Sequence, residues 1–214
     1  MQASRILDVS RRRRIHRWAL SELDGILTFL RSAERLKDTL RSSHTSSGRP
    51  ESVAEHTWRL CLMAVLLRHE FPEVDFSKLI RICVVHDLGE AVAGDIPAVD
   101  QDAAAPKAAQ ERLDLLDILA PLPGGLRAEL VSLWDDYESA TSAEARLAKA
   151  MDKLETIMQH NQGVNPENFD YQFNLGYGQQ YTAGHPLIAA FRAALDRETR
   201  RRADESQAGP QADT

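Results

Sequence analysis

His56, the adjacent pair His86-Asp87 and Asp152 are polar side chains set in otherwise apolar helical sequence. Buried charge is costly unless it is paired or holds a metal. A satisfied core or helix-end position would account for any one of them alone. Together they offer two imidazoles and two carboxylates, a set suited to a borderline or hard divalent cation such as Mn, Fe, Co or Zn. Four protein ligands leave room for water or a substrate oxygen, as a catalytic site needs and a closed structural site does not. Glu90 follows His86 by four residues and Asp87 by three, which on one continuous helix puts all three on the same side. A carboxylate there can take a proton from water at the metal or return one to a leaving oxygen. An exposed helix-end glutamate is the plain alternative. Asp95 follows Gly94 in the next loop, where Gly-Asp is also ordinary turn chemistry.

The elements that must carry these residues read as helices throughout. Leu20, Leu23, Ile26, Leu27, Leu30 and Ala33 recur at three- and four-residue steps. Residues 41–51, rich in Ser, Gly and Pro, read as a loop. Ser52 and Glu55 fit a capping box, so a helix starts near Val53. Its run through Leu67 is apolar nearly all round, as expected of a central helix. The pattern predicts further helices over 77–92, 107–120, a segment carrying Leu126 to Tyr137, and 142–160. Residues 94–106 read as a loop and 161–185 as a long aromatic connection. Pro186 suits the first turn of a last helix through Leu195. No segment alternates with period two, so the expected class is all-α, a compact multi-helix domain over residues 16–199. Residues 1–15 form a polar arm with the basic run Arg11–Arg14, and residues 200–214 read as a disordered tail.

Bulk properties narrow the function. The chain has 214 residues, 43% of them apolar, and a net charge of −6. That acidity argues against general nucleic-acid binding, in which phosphate neutralisation dominates; the Arg11–Arg14 run is the one place where RNA or acidic lipid could dock. No apolar run is long enough to span a membrane, and the first residues lack the apolar core of a secretory signal. Cys61 and Cys83 form no C-x-x-C pair, which fits a reducing, cytoplasmic setting. No Gly-rich phosphate loop is present, which argues against ATP-driven chemistry. His16, His69, His160 and His185 have no constellation around them and are assigned no role.

The order His56, His86-Asp87, Asp152 resembles the H…HD…D signature of the HD-domain metal phosphohydrolases. Residues 48–67 (GRPESVAEHTWRLCLMAVLL), 84–100 (VVHDLGEAVAGDIPAVD) and 133–155 (LWDDYESATSAEARLAKAMDKLE) extend the likeness, in order, to the HD-domain 5′-deoxynucleotidases. The resemblance implies an HD-domain fold, one divalent ion (Mn, Co, Mg, Zn or Fe) on His56, His86, Asp87 and Asp152, and a homodimer. Glu90 matches a family glutamate that acts on the attacking water. Asp95 matches an aspartate near the substrate sugar and that water. Arg41 matches an arginine near phosphate and deoxyribose, where a planar guanidinium suits phosphate. Arg49, Lys149 and Lys153 are weaker candidates for that cation. The family tends to carry a tryptophan that bears on sugar recognition soon after the arginine; this chain has Ser42, Ser43 and His44 there, which leaves both ribo- and deoxyribonucleotides open as substrates. The implied activity is metal-dependent hydrolysis of (deoxy)nucleoside 5′-monophosphates to nucleoside and phosphate. Alternatives are the same chemistry on a nucleoside triphosphate, an alarmone or a non-nucleotide ester, and a non-catalytic metal- and ligand-sensing protein.

Overall fold

The computed structural model describes residues 19–95 and 107–208. The basic arm and most of the 94–106 loop lie outside the described residues. Within them the chain runs α1 (Leu20–Ala33), β1 (Leu40–His44), β2 (Pro50–Ser52), α2 (Val53–Leu67), α3 (Phe76–Val85), α4 (Glu90–Ala93), α5 (Lys107–Ile118), α6 (Gly124–Ser139), α7 (Ala143–Gln162), α8 (Tyr171–Gly176), α9 (Gln179–Thr182) and α10 (Pro186–Ala208). The class is all-α, as expected.

Local chemistry sets the helix starts. Ser52 Oγ accepts from the Glu55 amide at 3.3 Å, and Glu55 Oε2 accepts from the Ser52 amide at 2.9 Å, closing the expected capping box. Arg49 grips the same Glu55 carboxylate, so its charge is spent on the cap. Asp75 caps α3 by accepting from the amides of Ser77 and Lys78. At the far end of α6, Lys149 Nζ donates to the carbonyls of Tyr137 and Glu138 at 3.1 and 3.0 Å. A cation belongs at a helix C-terminus, where carbonyls are left over.

The central helix is α7, not α2. Ala145, Leu147, Ala148, Ala150, Met151, Leu154 and Ile157 on α7 are all buried, and α7 packs against α2, α3, α6 and α10. On α2 only Val53, His56, Leu60 and Ala64 are buried, while Trp58, Leu62, Val65 and Leu66 are exposed. All-round apolarity therefore did not mean all-round burial.

Other expectations need correction too, and the connection expected over 161–185 carries α8 and α9. Residues 41–51 are not a plain loop. β1 and β2 pair antiparallel, Leu40 opposite Ser52 and His44 opposite Pro50, with an irregularity between. The helix expected over 77–92 breaks in two. α3 stops at Val85, His86 caps it, and α4 starts again at Glu90. Gly89 lets α5 pack closely on that turn, because a Cβ there would meet the Glu111 carbonyl oxygen at 2.7 Å. The tail is not disordered from residue 200: α10 continues to Ala208. Arg202 donates to the Gly163 carbonyl and to the Tyr171 hydroxyl, both at 2.7 Å, and Ala203 is buried. These tertiary contacts hold a segment that lacks apolar periodicity.

Candidate metal centre

Three parts of the chain converge at one spot. His56 comes from the first turn of α2, His86 and Asp87 from the break after α3, and Asp152 from the middle of α7. One ligand atom each from His56, His86 and Asp152 lies within 4.8 Å of the others, and all three residues are buried. Asp87 Oδ2 is 3.0 Å from His86 Nε2 and 3.9 Å from His56 Nε2. Because the helix breaks at His86, the turn rather than a shared helix face brings His86, Asp87 and Glu90 together.

Both imidazoles are anchored through Nδ1, which turns Nε2 toward the carboxylates. His86 Nδ1 donates to the Cys83 carbonyl at 2.8 Å. His56 Nδ1 donates to Glu155 Oε2. The Nε2 atoms of both rings are buried without a hydrogen-bond partner. A histidine whose other nitrogen donates to a carbonyl or carboxylate is the standard metal-ready tautomer. Two imidazole nitrogens beside the carboxylates of Asp152 and Asp87, 3.2 and 3.0 Å away, make a donor set that fits a divalent cation once His56 gives up its proton.

The electrostatics point the same way. Burial and Arg41 work against charge on His56, but the Glu155 carboxylate, with its hydrogen bond, and the nearby Asp152 carboxylate outweigh them, raising it to about 9. Burial opposes ionisation of Asp87, yet the His86 and His56 rings hold its carboxyl well below the usual range. Asp152 is also held low against burial, chiefly by Lys153, whose Nζ is 2.9 Å from Oδ2. Tyr137 donates to the same Oδ2 at 2.6 Å. The cluster favours positive charge at its centre, and in the free protein a proton supplies it.

A cavity of about 590 Å³ opens over these residues and is lined by Arg41, Glu90, Asp95, Asp152, Lys153 and Thr156 among others. Arg41, on β1, reaches across with Nη1 3.7 Å from Asp87 Oδ2 and donates from Nη2 to Thr156 Oγ1 at 3.2 Å. Its Nε is buried without a hydrogen-bond partner. Glu90 is buried in the first turn of α4, and Asp95 sits half-buried just beyond it. Six of the seven residues singled out from sequence therefore line one cavity, and His56, fully buried, stands directly behind it with Nε2 3.2 Å from Asp152 Oδ1. Of the three weaker cation candidates, Arg49 is committed to Glu55 and Lys149 to the end of α6; only Lys153 stands beside the acidic cluster.

A model of the HD domain family matches residues 33–190. The chain belongs to the HD domain family. A 5′-deoxynucleotidase HDDC2 from Mus musculus is 33% identical over 179 residues, covering 81% of this chain and 88% of that protein. The Homo sapiens 5′-deoxynucleotidase HDDC2 is 32% identical, with 81% and 86% covered. The solved structure of a predicted metal-dependent phosphohydrolase from Magnetospirillum magnetotacticum MS-1 is similar at a TM-score of 0.70 and 28% identity. That match covers 86% of this chain and 97% of the other. The resemblance drawn from the H…HD…D order is borne out.

Sequence reasoning missed several residues of this HD-domain site. Glu155, fully buried, accepts from His56 Nδ1 with one oxygen and from Arg59 Nε, at 2.6 Å, with the other. Its signal was the spacing to Asp152, three residues on along α7, which puts both carboxylates on one face. Glu51, from β2, lies 3.6 Å from Arg41 Nε, and burial and Glu155 push it up to about 7. Glu51, His56 and Glu155 form a second close cluster beside the first. His160, alone in sequence, lines the cavity.

Proposed function

We propose that this HD-domain protein is a metal-dependent phosphomonoesterase acting on (deoxy)nucleoside 5′-monophosphates, with one divalent ion held by His56, His86, Asp87 and Asp152. The observation that carries the reading is the convergence of two imidazole nitrogens and Asp152 beside Arg41 at a single cavity. The names of the relatives supply the substrate class.

The ion supplies electrophilic assistance to the phosphoryl group and lowers the pKa of water at the site. The chain's own residues do the rest. Arg41 pairs with the phosphate; its planar fork of donors suits that geometry. Glu90 takes the proton from the attacking water and can return it to the 5′-oxygen as the P–O5′ bond breaks. Asp95 stands close enough to Arg41 to favour its charge and orients the sugar end of the ester. Glu155 keeps the His56 proton on Nδ1, and Tyr137 fixes the Asp152 carboxylate. The products are a nucleoside and inorganic phosphate.

Two further expectations belong to this reading. The exposed Trp58, Leu62 and Leu66 on α2 support a homodimer, and the free thiols Cys61 and Cys83 support a cytoplasmic setting. Among the described residues, no helix is long and apolar enough to cross a membrane.

A panel of phosphoesters assayed with Mn, Co, Mg and Zn tests the activity, with Asp152→Ala as control. The expected result is metal-dependent phosphate release from nucleoside 5′-monophosphates that the substitution abolishes. Activity confined to triphosphates contradicts it, and no turnover with any metal favours a sensor.

A further inference from the structure

The end of the cavity away from Asp152 is built by the last turns of α7 and by α8 with the segment before it. His160 Nδ1 donates to Asn174 Oδ1 at 2.9 Å. That leaves His160 Nε2 as an acceptor and Asn174 Nδ2 as a donor. Neither atom has a hydrogen-bond partner among the described residues, and both residues line the cavity. His160 is 7% exposed and Asn174 0%. Leaving buried polar groups unmatched costs free energy, so an unmatched acceptor and donor in one cavity wall point to a ligand. Burial pushes His160 down to about 4, so the ring is neutral at pH 7 and Nε2 keeps its lone pair.

The surrounding walls are flat and fixed. The Phe169 ring stands edge-on to His160, with centroids 4.8 Å apart, and Phe173 lies 5.5 Å from Tyr177. Arg192, from α10, donates to the carbonyls of Asn174, Leu175 and Tyr177, holding α8 in place. Along α7, His160 follows Asp152 by eight residues, with Thr156 and its Arg41 contact between them. Eight residues of helix rise about 12 Å. That separation is comparable with the reach of a nucleotide from phosphate to base.

Resting on the nucleotidase reading, we propose that this end of the cavity is a nucleobase subsite. Phe169 and Phe173 take the planar ring, and His160 Nε2 and Asn174 Nδ2 engage a donor and a neighbouring acceptor on its edge. Proteins that bind splayed-out bases use the same combination of aromatic stacking and edge hydrogen bonds. Every common base carries an N–H donor next to an acceptor, so the pair grips a base without choosing which one.

Two substrates isolate the subsite: 2′-deoxyadenosine 5′-monophosphate, and 2-deoxyribose 5-phosphate, which lacks the base. Phe173→Leu keeps apolar bulk and loses the flat face; His160→Phe keeps a ring against Phe169 and loses the acceptor. Each variant is expected to raise KM for the nucleotide about tenfold, within the range for losing one base–aromatic contact (Phe173) or one buried hydrogen bond (His160), with kcat held. KM for the base-free ester stays unchanged. Equal changes on both substrates, or none on either, overturn the subsite and leave the phosphatase reading standing. Calorimetry with 2′-deoxyadenosine, which has no phosphate, makes the test independent of turnover. The parent is expected to bind it and each variant to bind about tenfold more weakly. A parent that binds no 2′-deoxyadenosine overturns the subsite. A parent that binds it but hydrolyses no nucleotide supports the subsite and sinks the nucleotidase reading alone.

Discussion

Glu155→Gln tests how the site keeps His56 ready for a metal. The carboxylate serves two donors with one oxygen each, His56 Nδ1 and Arg59 Nε. Glutamine has the same volume but a single acceptor oxygen. If its amide NH2 faces His56, it forces the proton from Nδ1 to Nε2, the atom that must be bare to hold a cation. If the NH2 faces Arg59, two donors oppose each other in a residue that is fully buried. Replacing the outer partner of a metal-binding histidine typically costs about 10- to 100-fold in affinity. At about 1.4 kcal/mol per decade, that is about 1.4–2.8 kcal/mol. The Arg59 side chain is 20% exposed, so water can take up part of its lost partner and the variant should stay folded. Calorimetric titration of Mn or Co into parent and variant, with thermal melts on both, measures the effect. A folded variant with a Kd within twofold of the parent refutes the reasoning.

Three other outcomes follow from the geometry. Glu90→Gln is expected to lower kcat about 10²- to 10⁴-fold without changing metal stoichiometry, as loss of a proton-transfer group does; a decrease under threefold contradicts the role. Metal affinity should rise with pH, because below about 9 His56 carries a proton that must leave before Nε2 can hold a cation. Asp87 and Asp152 are held ionised and add no slope there, so the Mn Kd should be about tenfold weaker at pH 6.5 than at pH 7.5, and a flat profile would count against it. Ser52→Ala removes the α2 cap and should cost about 1 kcal/mol, read as a Tm lower by about 2–4 °C; an unchanged Tm means the cap does not hold α2.

The helices were legible because most announce themselves locally. Ser52 and Glu55 mark the start of α2, and the α7 stripe from Leu147 to Ile157 has the period of a buried face. What could not be read was decided by distant contacts. Residues 84–93 have no proline and read as one helix; in the fold the backbone tightens to three-residue bonds, Leu88 N to Val85 O and Glu90 N to Asp87 O, where α5 packs on Gly89. The hairpin over 40–52 is two short strands whose only signal is each other. α10 runs past residue 200 because Arg202 reaches back to Gly163 and Tyr171. At the site, the residues of the H…HD…D order stand out as charge in apolar sequence. Glu155 does not, because it reads as one more charged position on a helix. His160 has its partner, Asn174, fourteen residues away on another helix, so nothing nearby in sequence marks it.

Anomalous diffraction from a Mn-soaked crystal of the full chain would test the metal centre most directly. The account predicts one strong peak within ligand distance of His56 Nε2, His86 Nε2 and the carboxylates of Asp87 and Asp152. A peak seated instead among Glu51, His56 Nδ1 and Glu155, or no peak on either cluster, would contradict it.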